Sequence, residues 1–186
     1  MKRSRPYWRE PRSLAVWAGC ALVVVWRVAT TSSAPSTPEV LDEGLHEVRR
    51  VIDGDTLLLA SGARVRLQGI DTPETVREGY AVETWGPQAS RFTKDFVAGA
   101  SKRVRLTFSL ERKDRYDRFL AFVWNGDAML NEELVRAGLA HARLDYRYSG
   151  AMKRRLAQAQ DEARSARRGL WSDEGGRAKA EGGVKN

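Results

Sequence analysis

The sequence predicts a β-rich α+β domain, a small barrel of short strands with helices packed on one side. Three observations predict it. Alternating apolar and polar runs, broken at Asp53-Gly54 and Ser61-Gly62, read as successive strands near the start of the domain. Two further runs, "KRVRLTFSL" and "RFLAFVWNGDAM", return to the strand pattern in the middle. Around them lie three stretches whose apolar residues recur at helical spacing.

In chain order the elements follow from local signals. "HEVRRVIDGDTLLLASGARVRLQGI" divides into strands at its two turn sequences, and a turn centred on Ser61-Gly62 would set Asp55 opposite Gln68 and Asp53 opposite Ile70. Along the returning strand Arg64, Arg66 and Gln68 share one face, while Val65 and Leu67 take the other. After Gly86, "PQASRFTKDFVAGA" places Ala89, Phe92, Phe96 and Val97 on one helical face, with Pro87 in the first turn. Asn131 is expected to cap a short helix through Val135 that Gly138 ends. A last helix starts near Ser149, buries Met152, Leu156, Ala159 and Ala163, and is stopped by Gly169.

The chain of 186 residues suits one compact domain with tails. We place that domain at 45–172, after a Ser/Thr/Pro/acid linker at 30–44 and before a Gly-rich polar tail at 173–186. Residues 1–29 read as a signal peptide or an N-terminal membrane anchor. A basic start precedes a 13-residue apolar run, Leu14 to Trp26, which is shorter than the ~20 residues needed to span a bilayer. Either form puts the domain outside the cytoplasm, secreted or tethered. Half of the net charge of +8 lies in residues 1–40, so overall basicity says little about partners.

The single cysteine, Cys20, lies in the apolar run, which leaves the domain without an internal disulfide. With only two histidines, His46 and His141, both read as structural, the residues disfavour a zinc site and point to oxygen ligands. The oxygen donors collect in "RLQGIDTPET" (66–75) and its hairpin partner "DGDT" (53–56). The hairpin brings Asp71 beside Asp53 and Asp55, and Pro73 keeps Thr72 and Glu74 out of helix. Converging carboxylates repel one another unless a cation offsets them. Ca²⁺ accepts such an irregular oxygen set, backbone carbonyl included, more readily than Mg²⁺ does. Taken singly, Asp-Gly-Asp and Asp-Thr-Pro-Glu are ordinary turn sequences, and only their convergence suggests a site.

Six blocks in order, "VIDGDTLLL" (51–59), "RLQGIDTPET" (66–75), "WGPQASRFTK" (85–94), "KDRYDRFLAFVW" (113–124), "LNEELVRAGLA" (130–140) and "GLWSDE" (169–174), resemble the staphylococcal nuclease family. The resemblance implies a five-stranded OB-fold β-barrel with three packed α-helices. It also implies Ca²⁺-dependent hydrolysis of DNA and RNA to 5′-hydroxyl and 3′-phosphate ends. By motif match, Asp55, Asp71 and the Thr72 carbonyl resemble the metal ligands, Arg66 and Arg118 the phosphate-binding catalytic arginines, and Glu74 the general base. Asp53 would order the turn. Arg115 and Tyr116 are expected at the substrate, and Tyr146 and Tyr148 either stack on bases of single-stranded or unpaired nucleic acid or pack against the last helix. Asp117 stands where the family has glycine, next to Arg118. No protein partner is implied, and nothing suggests more than a monomer. The alternative function is a non-catalytic nucleic-acid-binding module on the same fold, which would be expected to lack part of this charged set.

Overall fold

The computed structural model describes residues 38–74 and 84–173. The segments expected as leader or anchor, most of the linker and nearly all of the C-terminal tail lie outside these residues. Strands β1 (Gly44–Asp53), β2 (Thr56–Leu59) and β3 (Arg64–Leu67) form an antiparallel meander. β5 (Arg103–Lys113) pairs antiparallel with β1, and β6 (Phe119–Asn125) with β5. A parallel pairing of β6 with β3, Val65 opposite Phe119 and Leu67 opposite Ala121, closes the five strands into the expected barrel. Closure leaves no free edge among them.

Alternation fills the barrel. Leu57, Leu59, Val65, Leu67, Leu106 and Val123 are buried inside, whereas Arg64 is exposed and Arg66 half-buried on the polar face. The hairpin register differs from the expected one by a residue, since Thr56 pairs with Arg66 and the Leu67 amide donates to the Asp55 carbonyl at 2.8 Å. The turn has three residues, not two. The Leu59 amide reaches the Ala63 carbonyl at 2.9 Å across Ala60, Ser61 and Gly62, with Gly62 at φ 87°. A three-residue hairpin loop needs a left-handed residue in that place, and glycine supplies it without strain.

Helix α1 (Gly86–Gly99) buries Ala89 and Val97 and half-buries Phe92 and Phe96. It also fixes the β1–β2 turn: Thr93 Oγ1 donates to the Gly54 carbonyl at 2.5 Å. A Cβ on Gly54 would lie 2.8 Å from Thr72 Oγ1 and 3.0 Å from Ala89 Cβ, so the close approach requires glycine.

β7 (Ala128–Met129) extends β6 and leads into α2 (Leu130–Arg136). Asn131 is not the cap of that helix, because Met129 holds the N-cap position and Asn131 lies inside the first turn, fully buried. Its side chain accepts from the Val123 amide at 3.0 Å and donates to the Gln68 carbonyl at 2.9 Å, satisfying backbone groups just beyond the point where the β3–β6 pairing stops. Glu132 and Glu133 occupy the first turn, where the helix dipole favours negative charge. Ser149 caps α3 (Gly150–Ser165) as expected, accepting from the Met152 amide at 3.4 Å. Leu156, Ala159 and Ala163 are buried there, with Met152 half-buried. Two short strands, β4 (Ile70–Asp71) and β8 (His141–Ala142), pair outside the barrel, Asp71 opposite His141. Within the stretch expected as linker, Leu41 packs into the core and Glu43 Oε1 accepts from the Phe108 amide at 2.9 Å.

Candidate active site

The β1–β2 turn and the β4 end meet as the hairpin argument expects. Asp55 is 6% exposed and bonded on both oxygens. Its Oδ1 accepts from Thr56 Oγ1 at 3.1 Å, and its Oδ2 from the Thr72 amide at 3.0 Å and from Thr72 Oγ1 at 2.8 Å. Asp53 Oδ1 accepts from the Gly54 amide at 2.7 Å and so orders the turn. Asp71, by contrast, keeps about half of its side chain in solvent.

Arg66 bridges the two carboxylates. Its Nη1 lies against Asp55 Oδ2, and its Nη2 donates to Asp71 Oδ1 at 2.6 Å. Desolvation by burial pulls this guanidinium below the usual arginine range against the opposing pull of Asp71, and the positive charge of Arg118 adds to the lowering. Both carboxylates therefore present oxygens to one positive centre, the arrangement a hard cation would use. Among the described residues no group of three or more His, Cys, Asp or Glu side chains converges, so further ligands would have to be a carbonyl, water or substrate oxygens. Glu74, exposed, follows Pro73 at the rim of the same segment.

Arg118 arrives from the β5–β6 connection. Its Nε donates to Asp114 Oδ2 at 2.8 Å, and its guanidinium lies 5.4 Å from the Tyr116 ring. Asp114, which the sequence reading passed over, organises this turn: its Oδ1 accepts from the Tyr116 amide at 2.9 Å and the Arg118 amide at 3.0 Å. Burial acts to raise the Asp114 carboxyl, but these bonds outweigh it and hold the group below its ordinary value. A depressed folded value means that the contribution to stability is full above the unfolded pKa of about 3.9 and is lost as pH falls through the folded value. Asp114→Asn is thus expected to destabilise the fold at neutral pH and to close the gap to wild type in acid. Urea unfolding followed from neutral pH down to strong acid measures this, and a gap that does not narrow would exclude it.

Asp117 adopts φ 59°, the left-handed conformation that glycine takes without strain and that aspartate tolerates better than most residues. Its carboxylate turns to Lys113 Nζ at 2.7 Å, leaving Arg118 to Asp114. Arg115 and Tyr116 are exposed beside Arg118, and Arg115 Nη2 donates to the Tyr116 hydroxyl at 2.7 Å.

The two late tyrosines separate. Tyr146 is 44% exposed, with the Arg143 guanidinium 4.5 Å from its ring centre. Tyr148 is buried, edge-on to Phe122 at 5.9 Å, and its hydroxyl donates to the Arg143 carbonyl at 3.0 Å. Desolvation pushes its pKa up to about 12. A Cβ on Gly69 would meet the Tyr148 ring at 2.8 Å, so Tyr148 packs in the body of the domain and offers no open face to a base. Of the histidines, His46 bonds the Asp42 carbonyl at 2.9 Å and His141 lies edge-on to Trp171 at 5.1 Å, both consistent with structural roles. Arg143, also passed over in the sequence, stands 3.6 Å from Asp71 Oδ2. No local signal marks it, because the β4–β8 pairing alone brings it there.

Known proteins place this geometry. The model of the family described as "Staphylococcal nuclease homologue" matches residues 64–173. The thermonuclease of Staphylococcus hyicus is 38% identical over 159 residues, covering 82% of this chain and 92% of the relative. The thermonuclease of Staphylococcus intermedius is 43% identical over 127 residues, covering 67% of this chain and 74% of the relative. Endonuclease YncB of Bacillus subtilis is 32% identical over 130 residues, covering 68% of this chain and 61% of the relative. With the closed barrel, its three helices and this extent of identity, the chain belongs to the staphylococcal nuclease homologue family.

Proposed function

We propose that this nuclease of the staphylococcal nuclease homologue family is a Ca²⁺-dependent endonuclease that cuts DNA and RNA and leaves 5′-hydroxyl and 3′-phosphate ends. The observation that carries the reading is the meeting of Asp55, Asp71 and Arg66 at one point, with Arg118 near enough to depress Arg66. Asp55, Asp71 and the Thr72 carbonyl would hold the ion, which when bound offsets charge on the phosphoryl oxygens.

Everything else is work for this chain's own side chains. Arg66 and Arg118 present guanidinium forks to the scissile phosphate, where two parallel charge-assisted bonds fix its orientation as well as its charge. Glu74 takes a proton from the attacking water. The water oxygen bonds to phosphorus, the bond from phosphorus to the 5′ oxygen breaks, and that oxygen leaves as the hydroxyl after gaining a proton. Arg115, Tyr116 and Tyr146 line the approach, and exposed aromatic rings among arginines favour single-stranded or unpaired substrate. The chain acts as a monomer outside the cytoplasm, released or tethered through residues 1–29. Among the described residues no helix is long and apolar enough to cross a membrane. A binding-only module on this fold is disfavoured, because the charged set is complete.

The purified protein is expected to degrade single-stranded DNA with Ca²⁺ and to stop when chelator is added. End-labelling of the products decides the chemistry. Products with 5′-phosphate ends would overturn the proposed bond cleavage, and binding without cutting across a range of Ca²⁺ concentrations would overturn the enzyme.

A further inference from the structure

We propose that Arg143 binds a backbone phosphate flanking the scissile one, a role that rests on the nuclease reading above. Three contacts hold its guanidinium at the outer side of the site. It lies 4.5 Å from the centre of the Tyr146 ring, its Nε and Nη2 bond the Asp145 carboxylate at 3.1 and 3.0 Å, and its Nη1 stands 3.6 Å from Asp71 Oδ2. The last distance is beyond a hydrogen bond. Arg66 takes the other oxygen of the same carboxylate, so the two arginines flank Asp71 on its two oxygens. The inner arginine is half-buried, its side chain 15% exposed, and committed to both acids, whereas the outer one is about one-third exposed.

The partners of Arg143 are ones that an anionic substrate can replace. Asp145 is an exposed carboxylate, and an exposed ion pair contributes little. Its bond to Arg143 raises the arginine further above its usual range, so the cation persists at every working pH. The contact with Asp71, at 3.6 Å, is weak enough for an anion to displace it. The guanidinium rests against the Tyr146 ring at 4.5 Å from its centre, and its planar set of donors suits phosphate in a way that lysine does not reproduce. The backbone is anchored as well, since the Arg143 amide donates to the Gly69 carbonyl at 2.8 Å next to β4. Tyr146 and Arg143 thereby pair a stacking face with a phosphate fork on one short segment, the combination that single-strand binding uses.

The test is binding of a labelled single-stranded oligonucleotide by the full chain in chelator, where no cutting occurs, read by fluorescence anisotropy over a range of salt. Loss of one phosphate contact from a single strand reduces the slope of log K against log salt by about 0.7, and Arg143→Ala is expected to show that reduction with unchanged melting temperature. Arg143→Lys is expected to regain the slope but not the full affinity. Asp145→Ala, which removes the competing carboxylate, is expected to tighten binding. If Arg143→Ala keeps the wild-type slope while wild type cuts DNA, the proposed contact is overturned and the nuclease reading stands. If wild type binds no oligonucleotide in chelator yet cuts DNA with Ca²⁺, the proposed contact is overturned and the nuclease reading stands, and if it neither binds nor cuts, both are overturned.

Discussion

Glu74→Gln is expected to lower kcat by about 10²–10⁴-fold while the melting temperature stays at the wild-type value. The residue is exposed at the rim of the site after Pro73, and exchange of one carboxylate oxygen for an amide removes the basicity while keeping the size of the side chain. Oligonucleotide affinity is expected to hold, because the amide keeps the size of the side chain and removes a negative charge beside a polyanion. Steady-state kinetics with a thermal melt check the pair of claims. A loss of less than tenfold would take Glu74 out of the proton transfer.

The second large effect separates the two aspartates by burial. Asp55→Ala leaves the Arg66 guanidinium half-paired in a buried place and strips the acceptor from the Thr72 amide and hydroxyl. Breaking a buried pair by removing one partner costs about 3–5 kcal/mol, and Asp55→Ala is expected in that range. Asp71→Ala is expected to cost far less, because Asp71 is half in solvent and Arg66 retains Asp55. Both are expected to abolish Ca²⁺ binding in calorimetry. Urea unfolding distinguishes them, and equal destabilisation by the two substitutions would refute the assignment of Asp55 as the structural anchor of the site.

Much of the fold was legible because local chemistry and global packing agree. Alternation in "RVRL" sets Val65 and Leu67 inward whichever partner strand is chosen, and Ser149 caps a helix from its own hydroxyl. Pro87 likewise acts within its own helix turn, whereas Gly138 both ends its helix and leaves room for the Arg168 backbone, with its carbonyl accepting from the Leu170 amide at 2.8 Å. The register of the first hairpin was less legible, since Ser61-Gly62 reads equally as a two-residue or a three-residue loop. The three-residue form is the one in which the Leu59 amide bonds the Ala63 carbonyl and Thr56 pairs with Arg66. Asn131 was misread for a related reason. Its helix-capping chemistry is real, but the barrel offered it buried backbone groups of Val123 and Gln68, whose need for partners Asn131 meets from inside the first turn.

The same division runs through the site. Asp55, Arg66, Asp71 and Thr72 lie within twenty residues of one another, so their contacts follow from one hairpin and the segment after it, and the sequence alone determined that cluster. Tertiary structure decided what lies at a distance from it. Asp114 gains its role only when the turn folds around its carboxylate, Tyr148 is buried because Gly69 leaves room for its ring, and Arg143 reaches Asp71 through the β4–β8 pairing. The physical reason is range. Alternation, caps and turns act over a few bonds along the chain, whereas burial and ion pairing depend on which distant segments fill the same space, and no local pattern encodes that choice.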